Sequence, residues 1–131
     1  MNLALTTRSL AVALTIALAG ASGAAAADAI TPGETQIPAS EAPADAVVVN
    51  IAKMKYETPD LKVAPGTTVV WVNQEAMPHN IAFQKGVVGD DAFEGAMLKK
   101  DEAYVVTFNE AGTYAYHCTP HPFMRGKVTV E

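Results

Sequence analysis

This chain reads as an all-β domain, an antiparallel sandwich or barrel of roughly seven to eight short strands. Three observations carry that reading. Short runs rich in Val, Ile, Thr and Tyr recur along the chain, among them VVVNIAKMKY, TTVVWVN and AYVVTFN. Gly, Pro or Asn stands in the gaps between them, and these residues accept the dihedrals of tight turns. No internal repeat and no coiled-coil heptad interrupts the pattern.

The first residues are set apart from that domain. MNLALTTRSL carries one basic side chain, Arg8, before the apolar run LAVALTIALAGA and the small residues of SGAAAA. A basic start, an apolar middle and an A-x-A site make a secretory signal peptide over residues 1–27, with cleavage expected after Ala27. The apolar run is shorter than the roughly 20 residues a bilayer-spanning helix needs. Removing 27 of the 131 residues leaves 104. That is a single domain, residues 28–131, with enough chain to bury its own core. Loss of Arg8 takes the formal net charge from −5 to −6. An acidic chain does not seek nucleic acid or an anionic membrane surface.

Taken in order, DAITPGETQIPASEAPADA reads as a flexible arm or an edge segment, being rich in Pro, Ala, Ser and Glu. Val47–Tyr56 reads as a strand. Leu61 and Val63 alternate with Lys62, Pro65–Gly66 makes a turn, and Thr68–Val72 follows as the next strand. Trp71 lies among valines and reads as a core aromatic. His79–Gln84 is another short strand. From Lys85 to Lys100 the pattern breaks at Gly86, Gly89 and Gly95, with a turn of helix expected around Asp91–Phe93. Ala103–Asn109, Thr113–Cys118 and the closing GKVTV complete the set.

The chemistry gathers at the end of the chain, in YHCTPHPFMRGKVTVE. An exported protein has access to disulfides, yet Cys118 is the only cysteine. It is left as an intermolecular partner, a reactive thiol or a metal ligand. Cys118, His121 and Met124 are spaced three residues apart. Together they offer a soft thiolate, an imidazole and a thioether. Two His and one Cys in a trigonal set, with a weak axial Met, form the blue-copper arrangement. That set needs a second histidine, and two remain. His117 adjoins Cys118, so on a continuous strand the two side chains point to opposite faces. His79, in EAMPHNIAF, begins a strand and is the better candidate. Pro120 and Pro122 each fix φ and remove a backbone N–H. They stiffen the short loop and leave the Cys118 sulfur fewer hydrogen-bond donors, which bears on a metal's potential. Asn80 is the candidate for tying the two ligand-bearing segments together.

At these residues the chain resembles the cupredoxin family. Its members place an upstream His before an Asn, and a Cys…His…Met loop between the last two strands. IAKMKYETPDL, EAMPHNIAF and EAGTYAYHCTPHPFMRGKV are similar to the branch of the family with the shortest ligand loop. The resemblance runs from about Val47 to Glu131. It implies a Greek-key sandwich of about eight to nine strands with a copper site at one end. It implies one copper ion held by His79, Cys118, His121 and Met124. It also implies one-electron transfer in the periplasm, from methylamine dehydrogenase to a c-type cytochrome, by a monomer without membrane insertion.

The exposed edge of His121 is then the expected electron port. Pro120, Pro122 and Phe123 give it apolar neighbours, and Met77 and Pro78 flank the other histidine. The resemblance adds Met54 and Met97 to this docking patch, with Lys99 and Lys100 as a positive rim. Brief redox encounters use small interfaces of this kind. Three alternatives stay open. A multicopper enzyme needs more histidines than the three present. A structural zinc or copper module leaves the thioether of Met124 unexplained. A general cupredoxin carrier serving a different periplasmic redox couple is compatible with all the residues above.

Overall fold

The computed structural model describes residues 28–131, and the expected signal peptide at residues 1–27 lies outside them. Among the described residues the backbone forms eleven strands and one 3-10 turn, Ala39–Glu41. The strands are β1 (Ile30–Pro32), β2 (Ile37–Pro38), β3 (Val47–Ala52), β4 (Lys55–Tyr56), β5 (Asp60–Val63), β6 (Thr67–Asn73), β7 (Ala82–Phe83), β8 (Phe93–Glu94), β9 (Glu102–Phe108), β10 (Gly112–His117) and β11 (Arg125–Val130). The count exceeds the expected eight to nine because β2, β4, β7 and β8 are two-residue pieces.

These strands make two sheets. One runs β1-β9-β6-β3-β4, with β2 also pairing β9, and the other runs β5-β11-β10-β7-β8. Alternation along the strands sends one face of each sheet inward. Val49 and Ile51 of β3, Val69 and Trp71 of β6, and Val106 and Phe108 of β9 are buried from one side. Tyr114 and Tyr116 of β10 and Val128 and Val130 of β11 are buried from the other. The Trp71 ring meets Tyr116 edge-on at 5.2 Å between centroids, and Tyr116 meets Tyr56 at 4.8 Å. Edge-to-face contacts of this kind favour a single packing over a slippery one. The N-terminal arm is an edge, as one of its two readings had it: β1 and β2 both lie along β9.

Several local expectations change. The sheets are mixed: β3 runs parallel to β6, and β5 parallel to β11. After β4 the chain crosses to the second sheet for β5, so it returns as β6 in the same direction as β3. The run Val47–Tyr56 is two strands, because Lys53 and Met54 adopt φ of 53° and 57° and reverse the chain. Pro65–Gly66 is the expected turn, with Gly66 at φ 87° where a side chain would be strained. No helix forms around Asp91–Phe93; Phe93 pairs with Phe83 instead. His79 does not begin a regular strand. It makes an isolated bridge to Leu98, and pairing resumes only at Ala82. Cys118 lies one residue past β10, already in the loop.

Candidate metal centre

The β10–β11 connection is a loop from Cys118 to Met124 that closes on itself. Cys118 N–H donates to Met124 O at 3.1 Å, His121 N–H to Cys118 O at 3.3 Å, and Met124 N–H to His121 O at 2.9 Å. Pro120 and Pro122 occupy the positions between these donors, so their missing N–H groups cost the loop nothing. The result is two successive turns that place Cys118, His121 and Met124 at fixed points. Cys118 and Met124 are buried, and His121 is half-buried.

His79 arrives from the other side of the core. Its backbone exchanges both hydrogen bonds with Leu98, at 3.2 and 2.7 Å, and its side chain is wholly buried. Its Nδ1 lies 3.6 Å from the Cys118 sulfur, as does Nδ1 of His121. The three donor atoms all fall within 4.8 Å of one another. Donors about 2.0–2.3 Å from a shared ion at trigonal angles sit about 3.5–4 Å apart. The spacing and the donor chemistry, two imidazoles and one thiol with a buried thioether at the end of the same loop, therefore fit a single copper ion.

Burial pushes the Cys118 thiol up from its ordinary pKa, while the backbone N–H groups of Asn80 and His121 work against that. A metal cation at this point would favour the thiolate outright. Asn80 joins the two segments that carry the candidate donors. Its Oδ1 accepts the Thr119 N–H at 2.8 Å, and its Nδ2 donates to Thr119 Oγ1 at 3.0 Å and to Gly95 O at 3.3 Å. Tyr56 donates to Asn80 O at 2.6 Å. Burial, and then the nearby Cys118 sulfur, hold that phenol in its protonated form.

Three supporting residues were not apparent from the sequence. Glu75 accepts from His79 Nε2 at 2.5 Å and from the Met54 N–H at 3.1 Å, both on Oε1. Partial burial works to raise its pKa, and the His79 hydrogen bond, then that of Met54, overcome this and hold it below the ordinary value. Asn73 is fully buried; its Nδ2 donates to Met77 O and Leu98 O, each at 2.9 Å, and its Oδ1 accepts the Glu75 N–H. Thr119, beside Cys118, is the partner of Asn80. The one available signal was the four-residue spacing of Glu75 and His79, which on its own also describes an ordinary surface pair.

The remaining predicted residues sort by exposure. Phe123, Met77 and Met97 are exposed at 68%, 49% and 40%, unusual values for large apolar side chains. Pro78, Pro120, Pro122, Lys99 and Lys100 are exposed as well. The Phe123 ring lies 6.1 Å from that of His121, and Asn73 holds the Met77 and Leu98 backbones side by side. Met54 is half-buried against the core. His117 is not part of the donor cluster. It lies on the outer face of β10 and lines a surface depression with Gln84, Val87 and Arg125.

Comparison with known proteins gives concordant results. A family model described as copper binding proteins, plastocyanin/azurin family, matches residues 43–131. Amicyanin from Paracoccus versutus is 58% identical over 127 residues, covering 96% of each chain. Amicyanin from Paracoccus denitrificans is 58% identical over 124 residues, covering 95% of each. The crystal structure of the Paracoccus versutus protein superposes with a TM-score of 0.78 at 62% identity, over 80% of this chain and all of that one.

Proposed function

The chain belongs to the plastocyanin/azurin family of copper-binding proteins, and on that footing we propose that it carries single electrons from methylamine dehydrogenase to a c-type cytochrome in the periplasm. As a family member it binds one copper ion and serves electron transfer. The bound metal supplies a one-electron couple between Cu(I) and Cu(II). We assign His79, Cys118, His121 and Met124 as its ligands, residues 1–27 as a cleaved export signal, and residues 28–131 as the single mature domain.

One observation supports this reading above the others. The two histidines are unequal: His79 is sealed in the core, whereas His121 reaches the surface beside exposed Phe123. The buried side of the site is held by Asn80, Glu75 and the closed loop, so donor positions shift little when the charge at the site changes. The exposed side offers a partner one imidazole edge beside Phe123, and we assign the exposed Met77, Pro78, Pro120 and Met97, with Lys99 and Lys100, to the docking surface around it. Apolar contact around the port excludes water and brings the ring close to a partner, while the small area allows quick release. The basic pair steers an acidic partner against the protein's own net negative charge.

The test is direct. Copper-loaded, oxidised protein is mixed with methylamine-reduced dehydrogenase and the blue thiolate band is followed. Rapid bleaching is expected, followed by recovery when an oxidised c-type cytochrome is added. A persistent blue colour with this donor would remove the dehydrogenase from the assignment and leave a carrier for another couple. A colourless oxidised holoprotein would remove the thiolate–copper assignment itself.

A further inference from the structure

Glu75 stands at the meeting of two unusual local features. One is the β3–β4 turn. Ala52 pairs with Lys55, so the loop is only Lys53 and Met54, both with left-handed φ. Two-residue hairpin loops of this kind favour Asn-Gly, because side chains with a Cβ are strained there. Such strain persists only where surrounding contacts over-determine the backbone. The other feature is the His79 ring. A carboxylate accepts and does not donate, so Nε2 facing Glu75 carries a hydrogen, and Nδ1 is the nitrogen turned toward Cys118.

A single oxygen serves both. Glu75 Oε1 receives the Met54 N–H and the His79 Nε2–H. Glu75 is itself fixed from behind, through its own N–H to Asn73 Oδ1, while the neighbouring Gln74 N–H bonds Ile51 O at 3.0 Å. The strained turn, the carboxylate and the ring therefore form one hydrogen-bonded unit.

We propose that Glu75 is a positioning residue that couples the Lys53–Met54 turn to the orientation and tautomer of the His79 imidazole. The proposal rests on His79 being a copper ligand. A body pressing on the turn acts on the same unit that aims the ring. Side-chain volume at Glu75 matters little in this scheme; an acceptor oxygen at that point is what matters.

The test compares Glu75→Ala with Glu75→Gln in the copper(I)-loaded protein by nuclear magnetic resonance. Gln keeps an acceptor oxygen and Ala does not. In Glu75→Ala the Met54 amide is expected to exchange about 10-fold faster or more, with the Val69 and Val106 amides unchanged, and the His79 Nε2–H resonance is lost. Copper(I) transfer to a chelator is expected to quicken by about 10- to 100-fold, the usual effect of removing a ligand's outer partner. Glu75→Gln is expected to preserve both resonances. A protected Met54 amide in Glu75→Ala, or equal damage in Glu75→Gln, would overturn the coupling. If Glu75→Ala does not fold, Glu75→Gln decides alone: the coupling stands if both resonances persist and falls if either is lost. Copper stoichiometry, measured on the wild type, separates the two ideas, because the Met54 amide can be read in copper-free protein even if His79 binds no metal.

Discussion

Asn80 is buried with both ends of its amide engaged; the sequence marked it, beside His79, as a candidate tie between two segments, but not its partners. Its bonds to Thr119 and Gly95 join three segments that are distant along the chain. Removing such a side chain takes away the acceptor of the Thr119 N–H and leaves the buried Gly95 carbonyl without this donor. Asn80→Ala is therefore expected to destabilise the fold by about 1–3 kcal/mol, measured as a lower urea midpoint, and to hasten copper loss. Phe123 is the opposite case. It is exposed and bears no structural bond, so Phe123→Glu is expected to leave the copper spectrum and the unfolding midpoint unchanged. It is expected to slow reduction by the dehydrogenase, read by stopped-flow; unchanged kinetics would remove Phe123 from the docking patch. The Cys118–His121–Met124 set was legible because all three lie within seven consecutive residues. Glu75 and Asn73 were not, since their importance comes from partners on other segments.

The β10–β11 hairpin carries the Cys118–Met124 loop, and its own geometry depends on a glycine. Tyr116 pairs with Gly126 across the hairpin, and a Cβ at Gly126 would stand 2.4 Å from the Tyr116 ring carbon and hydroxyl. Tyr116 is itself packed edge-on against Tyr56 and Trp71, so it has no free space to yield. Gly126→Ala is expected to cost about 1–3 kcal/mol by overpacking. Thermal unfolding of the variant checks this, and an unchanged midpoint would mean the Tyr116 ring moves more easily than its contacts imply. The strands themselves were mostly legible, because β-branched runs and turn residues are local signals. Their parallel pairings were not, because direction depends on where the chain goes between β3 and β6. The β3–β4 break was missed for a related reason: Lys53–Met54 has no glycine or asparagine to announce a turn.

Across the whole molecule, the two sheets enclose tyrosines whose protonation is tied to folding. Burial raises the Tyr104 pKa above its ordinary value of 10.0, and its hydroxyl donates to Gly33 O at 2.7 Å. The unfolded chain thus loses this proton first. Stability is unaffected below about pH 10 and falls as pH rises beyond it, towards the folded pKa. Tyr104→Phe is expected to lower stability at neutral pH through the lost hydrogen bond, and to flatten the decline between pH 9 and pH 11. Urea midpoints at the two pH values test it; an equally steep decline in the variant would show that Tyr104 stays protonated to no greater extent when folded. The residue lies on β9, where its hydroxyl pins the N-terminal arm, so the same experiment reports on the arm's attachment.

The linear chain settled the all-β character and offered the donor chemistry and three of the four proposed ligands, because these rest on local runs and on residues within one loop. His79 followed from chemistry, since the set lacked an imidazole. Folding decided what distance along the chain conceals. It brings His79 Nδ1 to 3.6 Å from a sulfur 39 residues away, seals that ring while leaving His121 half open, and places one oxygen of Glu75 between the ring and a strained turn. Hydrogen bonds and burial act over a few ångströms of space, and only a completed pair of sheets sets those ångströms.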